Sequence, residues 1–306
     1  MKVLIATDGS DDSTTAIRSA ARILMLKNSE VEVLCVTPRF EPRYTGWDAG
    51  PARERYGHRV RQLSKRIVER AEGILRAEGV DATIRLETGS PASVIVKLAA
   101  GSDIVVLGAK GKGTVSTAGL GPVSSRVLSH GAGSLFIGRE MRSDAGIRIL
   151  VATDGSDVAN DALDRLGKIV DLAEAEIRIL HVVESPWLHL GDEQELFGYP
   201  DPEHEAIDPE MRVEREMTIQ AERLVEAARQ RLSAGRPQIQ VSVGVESGLP
   251  ANEILSELDR GDYDLVVLGA SGGEDLKHEL LGSVSTKVAW NAPCSVLIVK
   301  PGEGEL

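Results

Sequence analysis

The feature that most constrains the fold of this sequence is an internal duplication. Residues 2–10 (KVLIATDGS) recur as residues 148–156 (RILVATDGS), at an offset of 146 positions. Residues 103–109 (DIVVLGA) recur as residues 264–270 (DLVVLGA), at an offset of 161. Repeats this long are whole small domains rather than solenoid units. The chain of 306 residues is therefore predicted to contain two copies of one domain.

Within each copy, short apolar runs alternate with helical patterns. In the first copy the runs of strand length are residues 3–6, 31–36, 82–86, 104–107 and 134–137. The clearest helical pattern in each copy is an apolar stripe with the spacing of one helix face. It comprises Val60, Leu63, Ile67, Val68, Ala71, Ile74 and Leu75 in the first copy, and Met217, Ala221, Leu224, Val225, Ala228 and Leu232 in the second.

This alternation predicts an α/β fold with two doubly wound, Rossmann-like domains. Each is expected to have a five-stranded parallel sheet in the order 3-2-1-4-5, covered by helices on both faces. The predicted domains are residues 1–140 and 147–306, with a linker at residues 139–146 and a 15-residue insertion in the second copy. Much of that insertion is placed in a surface loop at residues 185–209. Ligands bind such sheets where the winding reverses, here between strands one and four.

Polar signals follow both of these strands. The first strand of each copy ends in Ala-Thr-Asp-Gly-Ser, and the fourth is followed by a glycine-rich loop that opens a helix. Glycines let backbone N–H groups approach an anion, and a helix N-terminus adds donors and a positive dipole end. Ser283 and Ser285 add hydroxyls in the second copy. A polyphosphate could be held here without a lysine; the plainer alternative is a connector with Ser283 as a helix N-cap.

The second loop, Gly269-x2-Gly272-x9-Gly282-Ser283, resembles the G-x2-G-x9-G-[S/T] signature of ATP-binding universal stress proteins. The opening ATDGS and the closing residues 292–299 (APCSVLIV) are also similar to that family. Because the resemblance covers nearly the whole chain twice, it is to the tandem type. It implies an ATP-binding regulatory module of the stress response. The implied ATP contacts are Ala6, Thr7, Asp8, Val36, Gly108, Gly111, Gly121, Val123 and Ser124 in the first copy, and Ala152, Thr153, Asp154, Val182, Gly269, Gly272, Gly282, Ser283, Val284 and Ser285 in the second.

Elementary chemistry adds two expectations. Asp8 and Asp154 are acceptors suited to ribose hydroxyls, with capping of the following helix as the alternative role. Backbone donors leave much phosphate charge unneutralised, so Mg²⁺ is expected to bridge the phosphates without ligands from the protein.

The first copy departs from the signature at Pro122, which stands where the second copy has Ser283. Proline supplies neither a hydroxyl nor a backbone N–H to a phosphate. Lys110 and Lys112 could compensate in part, whereas Glu274 and Asp275 lie in the second loop. The second copy is therefore predicted to bind ATP more tightly than the first.

Other functions were weighed on the same residues. Residues 271–275 (SGGED) are similar to the pyrophosphatase loop of adenylating enzymes, but that loop belongs after the first strand. The P-loop pattern G-x4-G-K-[S/T] is absent. No nucleophile–base arrangement is evident, and His181 is interpreted as a core residue. The chain is thus predicted not to be a dedicated enzyme, with slow ATP hydrolysis left open. The main alternative is a scaffold of the same fold that binds no nucleotide.

Composition and charge limit the kinds of partner that the chain is expected to bind. The net charge of −12 argues against nucleic-acid and anionic-membrane surfaces. Because no apolar run resembles a signal peptide or a membrane span, a cytoplasmic protein is expected, with Cys35 and Cys294 as small buried residues. The final strands of the copies, at residues 135–137 and 296–299, could pair antiparallel and make the monomer a pseudo-dimer. A further homodimer is left open.

Overall fold

The computed structural model describes residues 1–38, 50–112, 119–142, 146–184, 209–236, 238–271 and 281–300, with side chains described from residues 54 and 213 onward in the two long helices. The first half comprises β1 (Lys2–Ala6), α1 (Asp11–Ile23), a 3-10 turn (Leu26–Asn28), β2 (Glu30–Thr37), α2 (Gly50–Ala77), β3 (Ala82–Thr88), α3 (Pro91–Ala99), β4 (Ile104–Gly108), α4 (Pro122–His130) and β5 (Ser134–Gly138). The second half comprises β6 (Ile147–Ala152), α5 (Asp157–Ile169), β7 (Ala175–Val183), α6 (Pro209–Ser233), β8 (Gln240–Ser247), α7 (Pro250–Arg260), β9 (Leu265–Gly269), α8 (Ser283–Asn291) and β10 (Ser295–Val299).

The described strands form one ten-stranded sheet in the order β3-β2-β1-β4-β5-β10-β9-β6-β7-β8. Each half has the predicted order 3-2-1-4-5 with parallel neighbours, and the two halves join through the antiparallel pair β5–β10. The predicted fold class and the intrachain pairing of the halves are therefore confirmed. The predicted boundaries of the two domains remain a prediction.

Both faces of the sheet are buried, which explains why its central strands are continuous apolar runs. Successive residues alternate between two cores: Val3 and Ile5 lie in one, and Leu4 lies in the other. Helices α1, α2, α5 and α6 cover the first core, while α3, α4, α7 and α8 cover the second.

The halves are related by a pseudo-twofold axis that can be read from the residue pairing. Phe136 of β5 lies opposite Leu297 of β10, and these two residues occupy equivalent positions of the repeat. On the same axis, Leu24 pairs with its repeat equivalent, Val170. The Met25 N–H donates to the Ile169 carbonyl, and the Asp171 N–H donates to the Ile23 carbonyl. Such reciprocal contacts define an isologous interface, which is formed here within one chain.

Arg139, at the start of the predicted linker, stabilises this interface through hydrogen bonds. Its guanidinium donates to the carbonyls of Ala289 (2.8 Å) and Cys294 (3.2 Å), and its backbone N–H donates to the Ser295 hydroxyl. Burial lowers the pKa of Arg139, while the carbonyl acceptors satisfy the charged group. The linker prediction is thus too simple at this residue, because Arg139 belongs to the contact between the halves.

The prediction is wrong for one residue of the core. Leu63 was assigned to the buried stripe of α2, yet 54% of it is exposed, and the buried line is Ser64, Val68, Ala71 and Leu75. The helix has 28 residues, a length of about 42 Å, so it extends beyond the shorter strands beneath it. The buried Ser64 hydroxyl donates to the Val60 carbonyl at 2.9 Å, which satisfies it within the helix.

Three further expectations concern the two cysteines, helix α6 and the insertion loop. Cys35 and Cys294 are buried free thiols, as predicted, and burial raises the pKa of both. The apolar stripe of α6 is buried or half-buried at each of its predicted positions. Most of the predicted insertion loop, residues 185–208, lies outside the described residues.

Candidate functional site

The turns after β1 and β6 place the two predicted aspartates. Gly155 has φ +78°, a left-handed conformation that favours glycine, and its N–H donates to the Thr153 hydroxyl at 3.2 Å. One oxygen of Asp154, Oδ1, accepts hydrogen bonds from the backbone N–H and the hydroxyl of Ser156. The Ser156 hydroxyl in turn caps α5 by accepting from the Ala159 N–H. Asp154 is therefore held by the turn, while capping of the helix falls to Ser156.

The N-terminus of α8 has a different chemistry. Its N-cap is Gly282, which has no side chain to accept from the first turn of the helix. The N–H groups of Ser283, Val284 and Ser285 have no partner within a helix, because the first turn of a helix leaves its donors unused. The Gly282 N–H itself donates to the Ala270 carbonyl at 2.8 Å. This terminus thus presents a group of backbone donors in a fixed position.

The Ser285 hydroxyl is used differently from the sequence prediction, which assigned it to a phosphate. It donates to the Gly269 carbonyl at 2.7 Å and so ties α8 to the end of β9. Ser124 makes the same bond to the Gly108 carbonyl in the first half. Since one hydroxyl has one proton, only the backbone N–H of these two serines remains available as a donor.

A cavity of about 410 Å³ lies at the carboxyl ends of the strands of the second half. Its position is the predicted crevice between β6 and β9, where the winding of the sheet reverses. Its lining combines apolar side chains with the N-terminus of α8, and Thr153 and Asp154 are among the lining residues. The lining comprises Ala152, Thr153, Asp154, Ala159, Leu180, His181, Val182, Glu184, Pro250, Ile254, Leu268, Gly269, Ser271, Gly282, Ser283, Val284 and Ser285.

His181 is the lining residue that sequence reasoning missed. It was interpreted as a core residue, but it is half-buried in the cavity wall, with Nδ1 2.8 Å from the Thr153 carbonyl. Its place directly before Val182, near the end of a strand that leads to the crevice, was the available signal. Pro250 and Ile254 were also missed, because they come from the helix after the third strand, which carries no polar motif.

In the first half, the glycine-rich loop closes on Asp8. One carboxylate oxygen accepts from the Ser10 N–H at 2.9 Å, and the other accepts from the Lys112 N–H at 2.7 Å. A Cβ on Gly111 would lie 2.8 Å from that second oxygen, so the contact requires glycine. Burial raises the pKa of Asp8, but hydrogen bonds from Ser10, Lys112 and Ser13 outweigh it and leave the pKa below its ordinary value. The repeat equivalents of Gly111 and Lys112, which are Gly272 and Gly273, lie outside the described residues.

Pro122 begins α4 in the position that Ser283 has in α8. The N-caps of the two helices are alike: Gly121 has φ −74° and ψ 168°, and Gly282 has φ −64° and ψ 154°. In both, the glycine N–H donates to an alanine carbonyl at 2.8 Å. The two termini therefore share their geometry, and the first lacks one donor. The remaining predicted residues of the first half lie at the ends of β1 (Ala6 and Thr7), β2 (Val36) and β4 (Gly108) and in the first turn of α4 (Val123 and Ser124).

The second half also contacts the loop of the first half. Trp290, near the end of α8, packs on Gly119, where a Cβ would lie 2.8 Å from the indole ring. Gly119 has φ +86°, so both its backbone and its surroundings favour glycine. One helix thus lines the cavity of the second half at its N-terminus and touches the loop of the first half near its C-terminus.

Two further observations concern the described residues as a set. Among them, no group of three or more His, Cys, Asp or Glu side chains has an arrangement that could hold a metal ion. No helix among them is long and apolar enough to cross a membrane.

Comparison with known proteins gives a consistent result. A model of the universal stress protein family matches residues 1–137 and 147–300. A universal stress protein of Mycolicibacterium smegmatis is 26% identical over 310 residues, covering 98% of this chain and 97% of that protein. The universal stress protein YxiE of Bacillus subtilis is 33% identical over 153 residues, which are 50% of this chain and 98% of that protein. The crystal structure of a universal stress protein from Archaeoglobus fulgidus has a similar fold, with a TM-score of 0.64, 21% identity and 98% coverage of both chains.

Proposed function

The chain belongs to the universal stress protein family, and from this premise we propose that it binds ATP in the cavity of its second half. The nucleotide would act as a regulatory ligand whose presence changes what the protein binds. The proposal concerns this chain's own residues, and the identities of its partners are left aside.

One observation carries the proposal. Ten residues of the second half were predicted to contact ATP, and nine of them line the same cavity; the tenth, Gly272, lies outside the described residues. The nine come from four separate segments of the chain. Their meeting in one cavity supports a common ligand better than it supports a set of unrelated turns and caps.

The chemistry of the lining suits an adenine nucleotide from end to end. Leu180, Val182, Pro250 and Ile254 offer an apolar slot for a flat base, while the first turn of α8 offers backbone donors to phosphates. Asp154 would accept from a ribose hydroxyl. The volume of about 410 Å³ is within the range of small-molecule sites, about 300–1,000 Å³.

Mg²⁺ enters this proposal through the ligand. Phosphate oxygens and water are its usual partners in nucleotide sites, and backbone N–H groups at α8 would leave part of the phosphate charge for the ion to neutralise. We expect chelation of Mg²⁺ to weaken ATP binding, as measured by calorimetry with and without the ion. Equal affinity in the presence of a chelator would contradict this part of the proposal.

The test begins with the purified protein as isolated. Denaturing it and identifying any released nucleotide by chromatography and mass spectrometry shows whether ATP is carried, and calorimetry then gives the affinity. Asp154→Ala should weaken binding at least about tenfold, the value of a hydrogen bond to a charged group. Asp8→Ala is the matched control, because it removes the same bond to a serine N–H in the other half.

The outcomes distinguish the proposal from its alternative. If Asp154→Ala weakens the tighter ATP site and Asp8→Ala leaves that site unchanged, the second-half site is supported. If the wild-type protein neither carries nor binds a nucleotide, the ATP proposal fails and a scaffold built on the paired halves becomes the better account. Equal losses in both variants would place the main site elsewhere than in the second half.

A further inference from the structure

We propose that His181 reads the ribose of the bound nucleotide together with Asp154, so that the second-half site selects ribonucleotides over deoxyribonucleotides. The inference rests on the proposed function, because it assigns a role to one more residue of the same cavity. It adds a specificity that neither the glycine-rich loop nor the aspartate supplies alone.

The hydrogen bond of His181 determines what the ring can offer to a ligand. Nδ1 lies 2.8 Å from the Thr153 carbonyl oxygen, and a carbonyl can only accept. Nδ1 must therefore carry the proton. In the neutral ring the other nitrogen, Nε2, is then an acceptor with no proton to donate. Within the part of the chain that the structure describes, no hydrogen-bond partner occupies Nε2.

The position of His181 corresponds to the ribose rather than to the base or the phosphates. Its ring is bonded to the carbonyl of Thr153, the residue directly before Asp154, so the two side chains are neighbours at the strand ends. His181 also lines a second cavity beside the first, and Asp154 is shared by both. Because Asp154 is the residue assigned to the ribose, a second acceptor that lines the same two cavities is assigned to the sugar as well.

Two neighbouring acceptors match a group with two neighbouring donors. A ribose carries hydroxyls at the 2′ and 3′ carbons, and each can donate one hydrogen bond. Asp154 would accept from one and His181 from the other. A deoxynucleotide lacks one of these donors and would leave an acceptor unpaired in a partly buried site, which is how hydrogen-bonding sites reject such analogues.

The internal repeat offers a natural comparison. The equivalent position in the first half is Cys35, which is only 2% exposed. A thiol is a weak hydrogen-bond acceptor. The arrangement proposed for His181 is therefore a property of the second half alone.

Two substitutions separate the structural bond of His181 from its proposed contact with the ligand. In His181→Asn, the side-chain amide can still donate to the Thr153 carbonyl from about the position of Nδ1, but nothing replaces Nε2. In His181→Gln, the longer side chain can place an acceptor near the position of Nε2. His130→Phe is the control, since Nδ1 of His130 also contacts a backbone carbonyl, that of Arg126, and His130 does not line the cavity.

Affinities for ATP, 2′-deoxy-ATP and 3′-deoxy-ATP are measured by calorimetry on the full chain. The wild type should prefer ATP to each deoxynucleotide, by about 2- to 12-fold for the hydroxyl that donates a hydrogen bond to His181. His181→Asn should lose that factor for ATP and for one deoxynucleotide, while the other, which already lacks the hydroxyl, binds as before. His181→Gln should keep most of the preference, and His130→Phe all of it.

Each result decides between the inference and its failure. Equal loss for all three nucleotides in His181→Asn would make His181 a structural residue and overturn the proposal, as would no loss at all. If His181→Asn does not fold, His181→Gln and the wild type still test the preference for the diol. Failure of the wild type to bind ATP would refute the proposed function itself, which is visible before any variant is made.

Discussion

Ser283→Pro converts the phosphate end of the second-half site into that of the first half with one substitution. The two helix termini already share their N-cap conformation and the hydrogen bond from the N-cap glycine. Proline is favoured at the first position of a helix, where its missing N–H has no partner within the helix. The substitution should therefore leave the stability of the fold nearly unchanged.

The expected effect on binding follows from the donors removed. Ser283 can offer a backbone N–H and a hydroxyl to a phosphate, and proline offers neither. A hydrogen bond to a charged group contributes about 1.5–3 kcal/mol, so the loss of one such bond should weaken ATP binding about 10- to 150-fold. Ser283→Ala removes only the hydroxyl and separates the two contributions. In the first half, exposed lysines near a phosphate, such as Lys112, would offset the missing donors by about 0–1 kcal/mol each.

The assay is calorimetric titration with ATP at fixed Mg²⁺ and salt, with thermal melts to confirm equal folding. The wild type should show one tighter and one weaker site, and Ser283→Pro should abolish the difference. Pro122→Ser, the reverse change, should strengthen the weaker site. An unchanged tight site in Ser283→Pro would refute the idea that the first turn of α8 holds phosphates. If Ser283→Pro leaves the tighter site unchanged and Pro122→Ser tightens that same site further, the first half is the stronger site.

The remaining predictions concern packing, protonation and turnover. Gly138→Ala should destabilise the fold by about 1–3 kcal/mol, because its Cβ would lie 2.4 Å from Ala16 Cα. Gly73→Ala, with no atom near its Cβ, should instead stabilise α2 by about 0.8–1 kcal/mol. Denaturant titrations of the two variants would show changes of opposite sign in the free energy of unfolding. The pKa of Asp8 is held below its ordinary value, so this carboxylate stabilises the fold above that ordinary value and the contribution is lost as the pH falls. Asp8→Asn should therefore destabilise more at pH about 7 than at pH about 3, as measured by urea unfolding. ATP turnover should be far below about 1 per second, the lower range of kinases; faster hydrolysis that Asp154→Ala abolishes would show an enzyme.

The sheet was predictable from sequence because its determinants are local. Runs such as residues 104–107 are apolar at every position, as only strands buried on both faces need to be. The repeat then gave two independent examples of each element, which made the order of strands and the switch point between β1 and β4 hard to mistake.

The errors come from contacts between distant parts of the chain. Leu63 fits the helical period of α2, but the side that faces the core is the line of Ser64, Val68, Ala71 and Leu75, and Leu63 lies off that line. His181 was missed because its position depends on the Thr153 carbonyl, which directly follows the neighbouring strand β6. The Ser285 hydroxyl was assigned to a phosphate, although the end of β9 provides a closer acceptor in the carbonyl of Gly269. Periodicity and motifs do not carry these relations.

The two copies can diverge more freely at their sites than along their shared axis, and the structure gives a reason. Phe136 and Leu297 face each other as equivalents, so a change in either copy is felt at the one interface on which both halves depend. The crevices are separate, and each can tolerate its own substitutions, such as Pro122 in one and Ser283 in the other. The separation is incomplete, however, because Trp290 reaches from α8 to Gly119 in the loop of the first half. A ligand that moved α8 would therefore also change the contact between Trp290 and that loop. Among the described residues, no side chain of the first half lines the cavity of the second half. The coupling acts in both directions, because α8 is itself held by Arg139 of the first half through the Ala289 carbonyl.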